Sequence, residues 1–326
     1  MPDITSLPFV SFVIPCLNAV RTLDFCLDSI FKVDYPKEQY EVIVVDNGST
    51  DGTLGIVKRY DTQCFSRPGL TVSALRNYGV LHSKGKILAF LDSDCVIQKD
   101  WLMNALKILR DEQIGATGCS YGIPENASWV VKAWYLPQQD SPREISFIPS
   151  GNLVVPREIF EQVKGFNEQL IAGEDFDFCQ RVHTAGYRII ASRLVQAIHL
   201  DDTDSLKKLL KKEIWYGKGM LPSITLRKLL NRTVLFCHLF GFSLILLSLG
   251  ILFFSEFLLV LSSIFLIGIP ISSAYYRNYI KSGNRNFKHF ILLIPIYFVY
   301  YIGRFISLVF IYSNEITSSK KQSLKI

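Results

Sequence analysis

The chain has 326 residues, 49% of them hydrophobic, with a formal net charge of +6 and a mean hydropathy of +0.24. That length accommodates one large or two ordinary domains, and the hydropathy is high for a protein dissolved in water throughout. The basic residues gather around the apolar C-terminal half, which favours a membrane surface over nucleic acid as a partner.

Phe9 to Ile14 reads as a first buried strand, followed by Pro15-Cys16-Leu17-Asn18, in which Asn18 is placed to cap a helix over Ala19 to Lys32. Tyr40 to Val45 is a second strand and runs into the polar turn Asp46 to Thr53. A short strand over Gln63 to Ser66, a helix over Ser73 to His82, the apolar strand Ile87 to Leu91 and a helix over Trp101 to Arg110 capped by Asp100 follow. Strands alternating with helices predict βαβ units and a mostly parallel sheet. Gly115 to Tyr121 is expected as a strand, residues 122 to 146 as loop with some helix, and Leu153 to Val155 as a short strand core. A helix is expected over Asp175 to Ala185, with short strands at Arg188 to Ala191 and Leu194 to Ile198, the latter leading into His199.

The seven cysteines include no Cys-x-x-Cys pair. Cys16, Cys95, Cys119 and Cys179 sit in apolar stretches and read as small core residues in a reducing compartment. Met1-Pro2-Asp3 lacks the basic start of a secretory signal, so the N-terminal domain is expected in the cytosol.

Beyond residue 204 the character changes. Leu206, Leu209, Leu210 and Ile214 share a helical face opposite Lys207, Lys208, Lys211 and Lys212, and Leu226, Leu229 and Leu230 repeat the pattern beside Arg227, Lys228 and Arg232. Basic amphipathic helices of this kind lie in a membrane interface. Val234 to Phe254, Phe257 to Tyr276 and Phe290 to Tyr312 are each long enough to cross the bilayer. The charge distribution places the basic flanks in the cytosol and Glu256 outside. Three spans are expected; the alternative is a re-entrant or interfacial third segment, since a full span puts Lys320 and Lys321 outside. Arg304 lies in the middle of that third segment and is expected to meet either a lipid phosphate or a partner on another helix. The domains expected are therefore 1–204, 205–232, 233–313 and a polar tail, 314–326.

Four clusters carry chemistry. Asp46 ends the second strand, where a carboxylate contacts a base or ribose, or simply forms the turn. Arg76-Asn77 lies on a helix; Arg76 would clamp a diphosphate or sit solvated. Asp92 and Asp94 close an apolar strand at the sheet edge where open α/β sheets bind ligands, and suit Mg²⁺ with a substrate diphosphate, or simply form a polar strand exit with an Asp cap on the next helix. Glu174-Asp175, with Asp177 and Arg181, opens a helix and offers a general base or complements the helix dipole. His199 is a metal ligand or a structural imidazole.

The ordered set Val10 to Asn18, Val45 to Thr53, Arg76 to Gly79, Phe90 to Asp94, Gly151-Asn152 and Gly173 to Asp177 resembles the family 2 inverting glycosyltransferases with the GT-A fold. The resemblance covers about residues 8 to 200. It implies an α/β GT-A domain followed by C-terminal transmembrane helices. It implies a nucleotide-diphospho-sugar bound by Pro15, Asn18, Asp46, Asn47, Ser49, Asp51, Arg76, Asn77, Asp92 and Ser93. It implies a divalent cation, Mg²⁺ or Mn²⁺, on Asp92, Asp94 and His199, and catalysis by Asp175 with Glu174 beside it. The Gln-x-x-Arg-Trp motif of processive members is absent, and Glu213 to Lys218 occupies a comparable place.

The activity expected is sugar transfer to a hydroxyl of a lipid-linked glycan acceptor in cell-surface polysaccharide or glycoconjugate assembly. The protein is expected to be multi-pass in the cell membrane, with its catalytic domain cytosolic and membrane lipids as partners. Nucleic acid is not expected as one. The alternatives are a polyprenyl-phosphate sugar synthase and a non-catalytic membrane scaffold with a degenerate transferase domain. A dinucleotide oxidoreductase is disfavoured because no Gly-x-Gly-x-x-Gly follows the first strand.

Overall fold

Every residue of the first strand, β1 (Val10–Cys16), is buried, as a central strand covered on both faces must be. The computed structural model describes residues 7–135, 141–200, 204–217, 232–281 and 286–323, with side chains of the last segment described to residue 309. The chain divides into two compact units, residues 1–125 with 137–202, and residues 126–136 with 203–326.

In the first unit, β1 is followed by α1 (Leu23–Phe31), β2 (Tyr40–Asp46), α2 (Thr53–Val57), β3 (Gln63–Ser66), α3 (Val72–Leu81), β4 (Ile87–Leu91) and β5 (Cys95–Val96). Then come α4 (Trp101–Ile108), β6 (Ile114–Gly118), β7 (Arg143–Glu144), β8 (Asn152–Pro156), β9 (Arg188–Ala191) and β10 (Ile198–His199). Eight strands form one sheet in the order β3-β2-β1-β4-β8-β6-β9-β7. The pairs β3/β2, β2/β1, β1/β4 and β6/β9 are parallel, while β8 runs antiparallel between β4 and β6, and β7 antiparallel beside β9.

Alternation along the strands builds two hydrophobic layers. Val10, Phe12 and Ile14 of β1 and Ala89 and Leu91 of β4 join Leu23, Leu27 and Trp101 on one face. Val13 of β1 and Leu88 and Phe90 of β4 face Phe160, Phe166 and Phe178 on the other.

Some boundaries depart from the sequence expectation. The first helix starts at Leu23, with Thr22 at its N-cap. Asn18 does not cap it: Asn18 has φ 50, and its side-chain oxygen accepts from Thr50 N at 2.9 Å. Asp100 occupies the N-cap of α4 without a side-chain capping bond and accepts from Asn104 Nδ2 at 3.1 Å. The expected strand over Leu194 to Ile198 is a 3₁₀ turn, Arg193–Val195, followed by the two residues of β10.

The second unit gathers α5 (Trp129–Trp134), α8 (Leu206–Gly217), α9 (Arg232–Leu252), α10 (Glu256–Tyr275) and α11 (Phe287–Ser323); α6 (Arg157–Gln162) and α7 (Glu174–Thr184) belong to the first. Three segments, Thr233–Leu252, Glu256–Lys281 and Phe287–Val309, are long and apolar enough to cross a membrane. Ser255 closes the α9–α10 turn by accepting from Leu258 N at 3.4 Å. Helix α8 buries Leu209, Glu213 and Gly217. Its contact with α11 depends on small residues: a Cβ on Gly217 would lie 2.3 Å from Ser307 Cβ, and one on Gly303 would lie 2.7 Å from Glu213 Cβ. Lys207, Lys208 and Lys211 stay exposed. The second amphipathic segment, around Leu226 to Leu230, lies outside the described residues.

Candidate active site

The parallel strands β1 and β2 end in register, Cys16 opposite Asp46, so their exit loops meet at one sheet edge. Asn18 N donates to Ser49 Oγ at 2.8 Å, Val20 N donates to Asp51 Oδ2 at 3.2 Å, and the Asn47 side chain exchanges bonds with the backbone of Leu70 at 3.1 and 3.2 Å. Pro15 is buried within β1. Asp46 has no exposed surface; its carboxylate accepts from Gly48 N at 2.9 Å and Ser49 N at 3.1 Å. The carboxylate shapes the loop, and Asn18, Asn47 and Ser49 provide its accessible surface.

Asp92 and Asp94 follow β4 with Ser93 half-buried between them. Asp92 Oδ1 accepts from Arg76 Nη2 at 2.7 Å, and Oδ2 accepts from Tyr121 Oη at 2.8 Å. Burial pushes the Asp92 carboxyl up, but Arg76, then His199 and Tyr121, outweigh it and hold the group below the usual carboxylate range. Gly151 sits against this carboxylate so closely that a Cβ there would lie 1.9 Å from Asp92 Oδ2.

Arg76 is 2% exposed, and its Nη1 donates to Glu174 Oε1 at 3.0 Å. Its position corrects the expected diphosphate clamp: both terminal nitrogens are engaged by carboxylates, so Arg76 braces α3 between β4 and α7. Asn77 is likewise used internally, with its amide bonded to Phe166 N at 3.0 Å, Phe166 O at 2.8 Å and Glu168 Oε1 at 2.8 Å.

His199 reaches the aspartates through the two-stranded ladder β10–β5, in which it pairs with Cys95. Leu200 N donates to Asp94 O at 2.8 Å, and His199 Nε2 lies 3.4 Å from Asp94 Oδ1. The Tyr121 ring packs edge-on against the imidazole at 4.7 Å. Ligand atoms of Asp92, Asp94, Cys95 and His199 all lie within 4.8 Å of one another. Adjacent ligands of an octahedral Mg²⁺ at 2.0–2.1 Å stand about 3 Å apart, so the Asp94–His199 spacing fits a shared divalent cation. Cys95 fits it poorly: a thiol is a soft ligand, and Mg²⁺ is a hard cation that takes oxygen.

Gly173, at φ 83, turns the chain into α7 and presents Glu174 and Asp175 in its first turn. Glu174 is 8% exposed and accepts from Arg76 and, at 3.1 Å, from Ser150 Oγ. Asp175 is half-buried, and its Oδ1 accepts from Phe176 N at 2.8 Å. Burial, and then the Glu174 charge, push its carboxyl up to about 6. The two acids of one dipeptide thus have different environments: Glu174 is committed to Arg76 and Ser150, while Asp175 has the raised affinity for a proton that suits a general base.

Residues 11–164 match the family described as "Glycosyl transferase family 2", and residues 136–206 match the "N-terminal domain of galactosyltransferase". The protein named "Glycosyltransferase AglE" from Haloferax volcanii is 31% identical over 240 residues, covering 69% of this chain and 78% of that protein. The chain belongs to glycosyltransferase family 2. It is an enzyme of glycosyl transfer with a mostly parallel GT-A domain followed by three apolar helices. A second family relative, the Methanococcus voltae "Dolichyl N-acetyl-alpha-D-glucosaminyl phosphate 3-beta-D-2,3-diacetamido-2,3-dideoxy-beta-D-glucuronosyltransferase", is 26% identical over 86% of this chain and 99% of its own length. The fold is shared with a mannosyltransferase from Pyrobaculum calidifontis solved with GDP-Man and Mn²⁺, at TM-score 0.56 and 19% identity, covering 92% of this chain and 89% of that one.

Two residues of this site, Tyr121 and Ser150, carried no readable signal in sequence, whereas Asn152 belonged to the Gly151-Asn152 motif without an assigned role. Tyr121 and Ser150 are ordinary polar residues until β6 and β8 bring them to Asp92 and Glu174. Asn152 follows Gly151 at the start of β8; its side chain accepts from Trp101 Nε1 at 3.1 Å and donates to Cys119 O and Val195 O, both at 2.9 Å.

Proposed function

We propose that this family 2 enzyme moves a sugar from a nucleotide-diphospho-sugar to a hydroxyl of a lipid-linked glycan acceptor, inverting the anomeric carbon. The observation that carries the reading is Asp175: a half-buried carboxyl with its pKa pushed up to about 6 by burial and by Glu174, in a helix tied through Glu174 and Arg76 to Asp92. Asp175 takes the acceptor hydroxyl proton as the oxygen attacks, and the nucleoside diphosphate leaves from the opposite side. Asn18, Asn47 and Ser49 line the loops on which the nucleotide rests. Asp94 and His199 hold the divalent cation, with Asp92 oriented beside them by Arg76 and Tyr121. When bound, Mg²⁺ or Mn²⁺ supplies positive charge against the departing diphosphate.

The apolar helices anchor the enzyme in the cell membrane with the GT-A domain on the cytosolic side, in line with the basic residues flanking α9 and α10. A lipid-linked acceptor is supported by the dolichyl-phosphate-linked compound in the name of the Methanococcus relative. Turnover of Asp175→Asn tests the reading. A loss of about 10²-fold or more is expected; activity within a few-fold of wild type would sink the base assignment and favour direct transfer to a polyprenyl phosphate, whose oxygen is already ionised.

A further inference from the structure

The third apolar segment, Phe287–Val309, starts level with the end of the second, Glu256–Lys281. His289 Nδ1 lies 2.6 Å from Asn278 Oδ1, and the Phe290 ring lies 5.8 Å from that of Tyr279. From there α11 drifts across the α9–α10 hairpin. Ser273 Oγ meets Tyr301 Oη at 2.8 Å, and a Cβ on Gly241 would lie 2.3 Å from Phe305 Cδ2. At ~1.5 Å per residue, Ser273 stands about 12 Å in from Lys281, but Tyr301 stands about 21 Å along from Phe287. Gly241 stands about 12 Å in from Thr233, but Phe305 stands about 27 Å along. Each contact joins points at one level, so α11 advances only about half its length along the hairpin, an inclination of about 60°. Its apolar residues, about 34 Å of helix, therefore climb about 17 Å, against ~30 Å of hydrocarbon. With the hairpin near the membrane normal, that inclination lies outside the ~0–40° of spanning helices.

The other side of α11 carries α5 and α8, all within the second unit. Leu209 of α8 and Val130 and Ala133 of α5 share a buried cluster with Ile296, and Leu206 and Val299 pack against it. Further along, Glu213 and Gly217 meet Gly303 and Ser307. Helix α8 thus runs beside α11 from Ile296 to Ser307. Its outer residues Lys207, Lys208 and Lys211 are exposed, as is Lys132 of α5. An upright α11 would carry these lysines through the bilayer interior, where a charged side chain is costly. It would also leave the end of α8 at the far face. Helix α9 starts at the near face, and Lys218, Arg227 and Lys228 lie on the chain between.

We propose that only α9 and α10 cross the bilayer, and that α11 lies obliquely in the cytosolic leaflet with α8 on its outer side, the lysine face of α8 meeting the lipid headgroups. The choice of leaflet rests on the orientation proposed above; the two crossings stand on the inclination of α11. The Arg304–Glu213 pair, between α11 and α8, then lies near the headgroups rather than at the hydrocarbon centre. Lys320 and Lys321 stay on the cytosolic face, where the charge bias favours them.

The test is labelling with a membrane-impermeant maleimide in spheroplasts that express the full chain, before and after permeabilisation, read by peptide mass spectrometry. Native Cys64, exposed in the GT-A domain, reports the side of that domain. Glu256→Cys should label in intact spheroplasts. Lys211→Cys and Lys321→Cys should label, like Cys64, only after permeabilisation. Lys321→Cys labelled in intact spheroplasts together with Glu256→Cys restores the third span and overturns the proposal. Lys211→Cys that stays unlabelled after permeabilisation, while Cys64 labels, puts α8 in hydrocarbon and overturns it too. Glu256→Cys on the same side as Cys64 does the same, because the hairpin then does not cross. Cys64 and Lys321→Cys both labelled from outside, with Glu256→Cys inside, leave the two crossings standing and sink the cytosolic orientation.

Discussion

Arg76 Nη1 donates to Glu174 Oε1 at 3.0 Å, and that bond couples the helix after β3 to the helix that carries Asp175. The same guanidinium holds Asp92 at 2.7 Å, so one buried cation is shared by two carboxylates from distant parts of the chain. Arg76→Leu leaves both without their partner. Breaking a buried pair costs about 3–5 kcal/mol, so a clearly lower thermal midpoint is expected. Arg76→Lys should recover only part of it, because an ammonium lacks the fork that spans two acceptors. A melting point unchanged in Arg76→Leu would show that the bridge does not support the fold.

Activity should rise with pH through the value near 6 assigned to Asp175. A base works deprotonated, so the acid limb of kcat/KM falls as pH drops below that value. Burial raises the pKa first and the Glu174 charge second, so Glu174→Gln should move the limb to lower pH. Asp175→Asn should abolish the limb together with most of the rate. A limb at the same pH in Asp175→Asn would assign it to another group.

Chelation with EDTA should remove activity and Mn²⁺ should restore it. His199→Ala and Asp94→Asn should each weaken Mn²⁺ binding by at least about 10-fold, measured by electron paramagnetic resonance titration. Cys95→Ala should leave Mn²⁺ affinity near wild type, because this cation prefers oxygen and imidazole ligands to a thiol. Equal losses in all three variants would put sulfur in the coordination sphere.

The strand edges and the order of the acidic motifs were legible because buried parallel strands are continuous apolar runs and the acids directly follow them. Ile87 to Leu91 with Asp92 and Asp94 is such a case. Side-chain commitments were not legible. Asp46 and Arg76 have types suited to ligands, yet the first satisfies its own turn and the second a pair of carboxylates, and both choices depend on long-range packing. The setting of His199 depends on a two-residue ladder, too short to leave a hydrophobic period. Residues 126–136 were equally opaque: α5 sits within the chain of the GT-A domain yet packs with the C-terminal helices, through contacts such as Arg277 with Trp134.

Gly151→Ala should damage the site without touching any ionisable group. Its Cβ would lie 1.9 Å from Asp92 Oδ2 and 2.4 Å from Tyr121 Oη, so the carboxylate must move. Overpacking of this kind costs about 1–3 kcal/mol, and the displaced Asp92 should lower kcat more than it lowers the melting point. Wild-type turnover in Gly151→Ala would mean that Asp92 tolerates displacement.

Arg304 had two expected roles, a lipid phosphate contact or an interhelical partner, and the structure supplies the partner: Arg304 Nε donates to Glu213 Oε2 at 2.8 Å. Both side chains are largely buried, and the guanidinium also lies 5.2 Å from the centre of the Tyr300 ring. Burial raises the Glu213 carboxyl despite the neighbouring Arg304 charge, which marks the site as poorly solvated. Removing one charge strands the other, so Glu213→Leu and Arg304→Leu should each destabilise by about 3–5 kcal/mol. The double variant replaces both charges with apolar groups and should be more stable than either single change, with a coupling energy of about 0.5–3 kcal/mol. Thermal unfolding of the four chains completes the cycle. Additive losses would mean that the two residues act independently and would return Arg304 to the lipid.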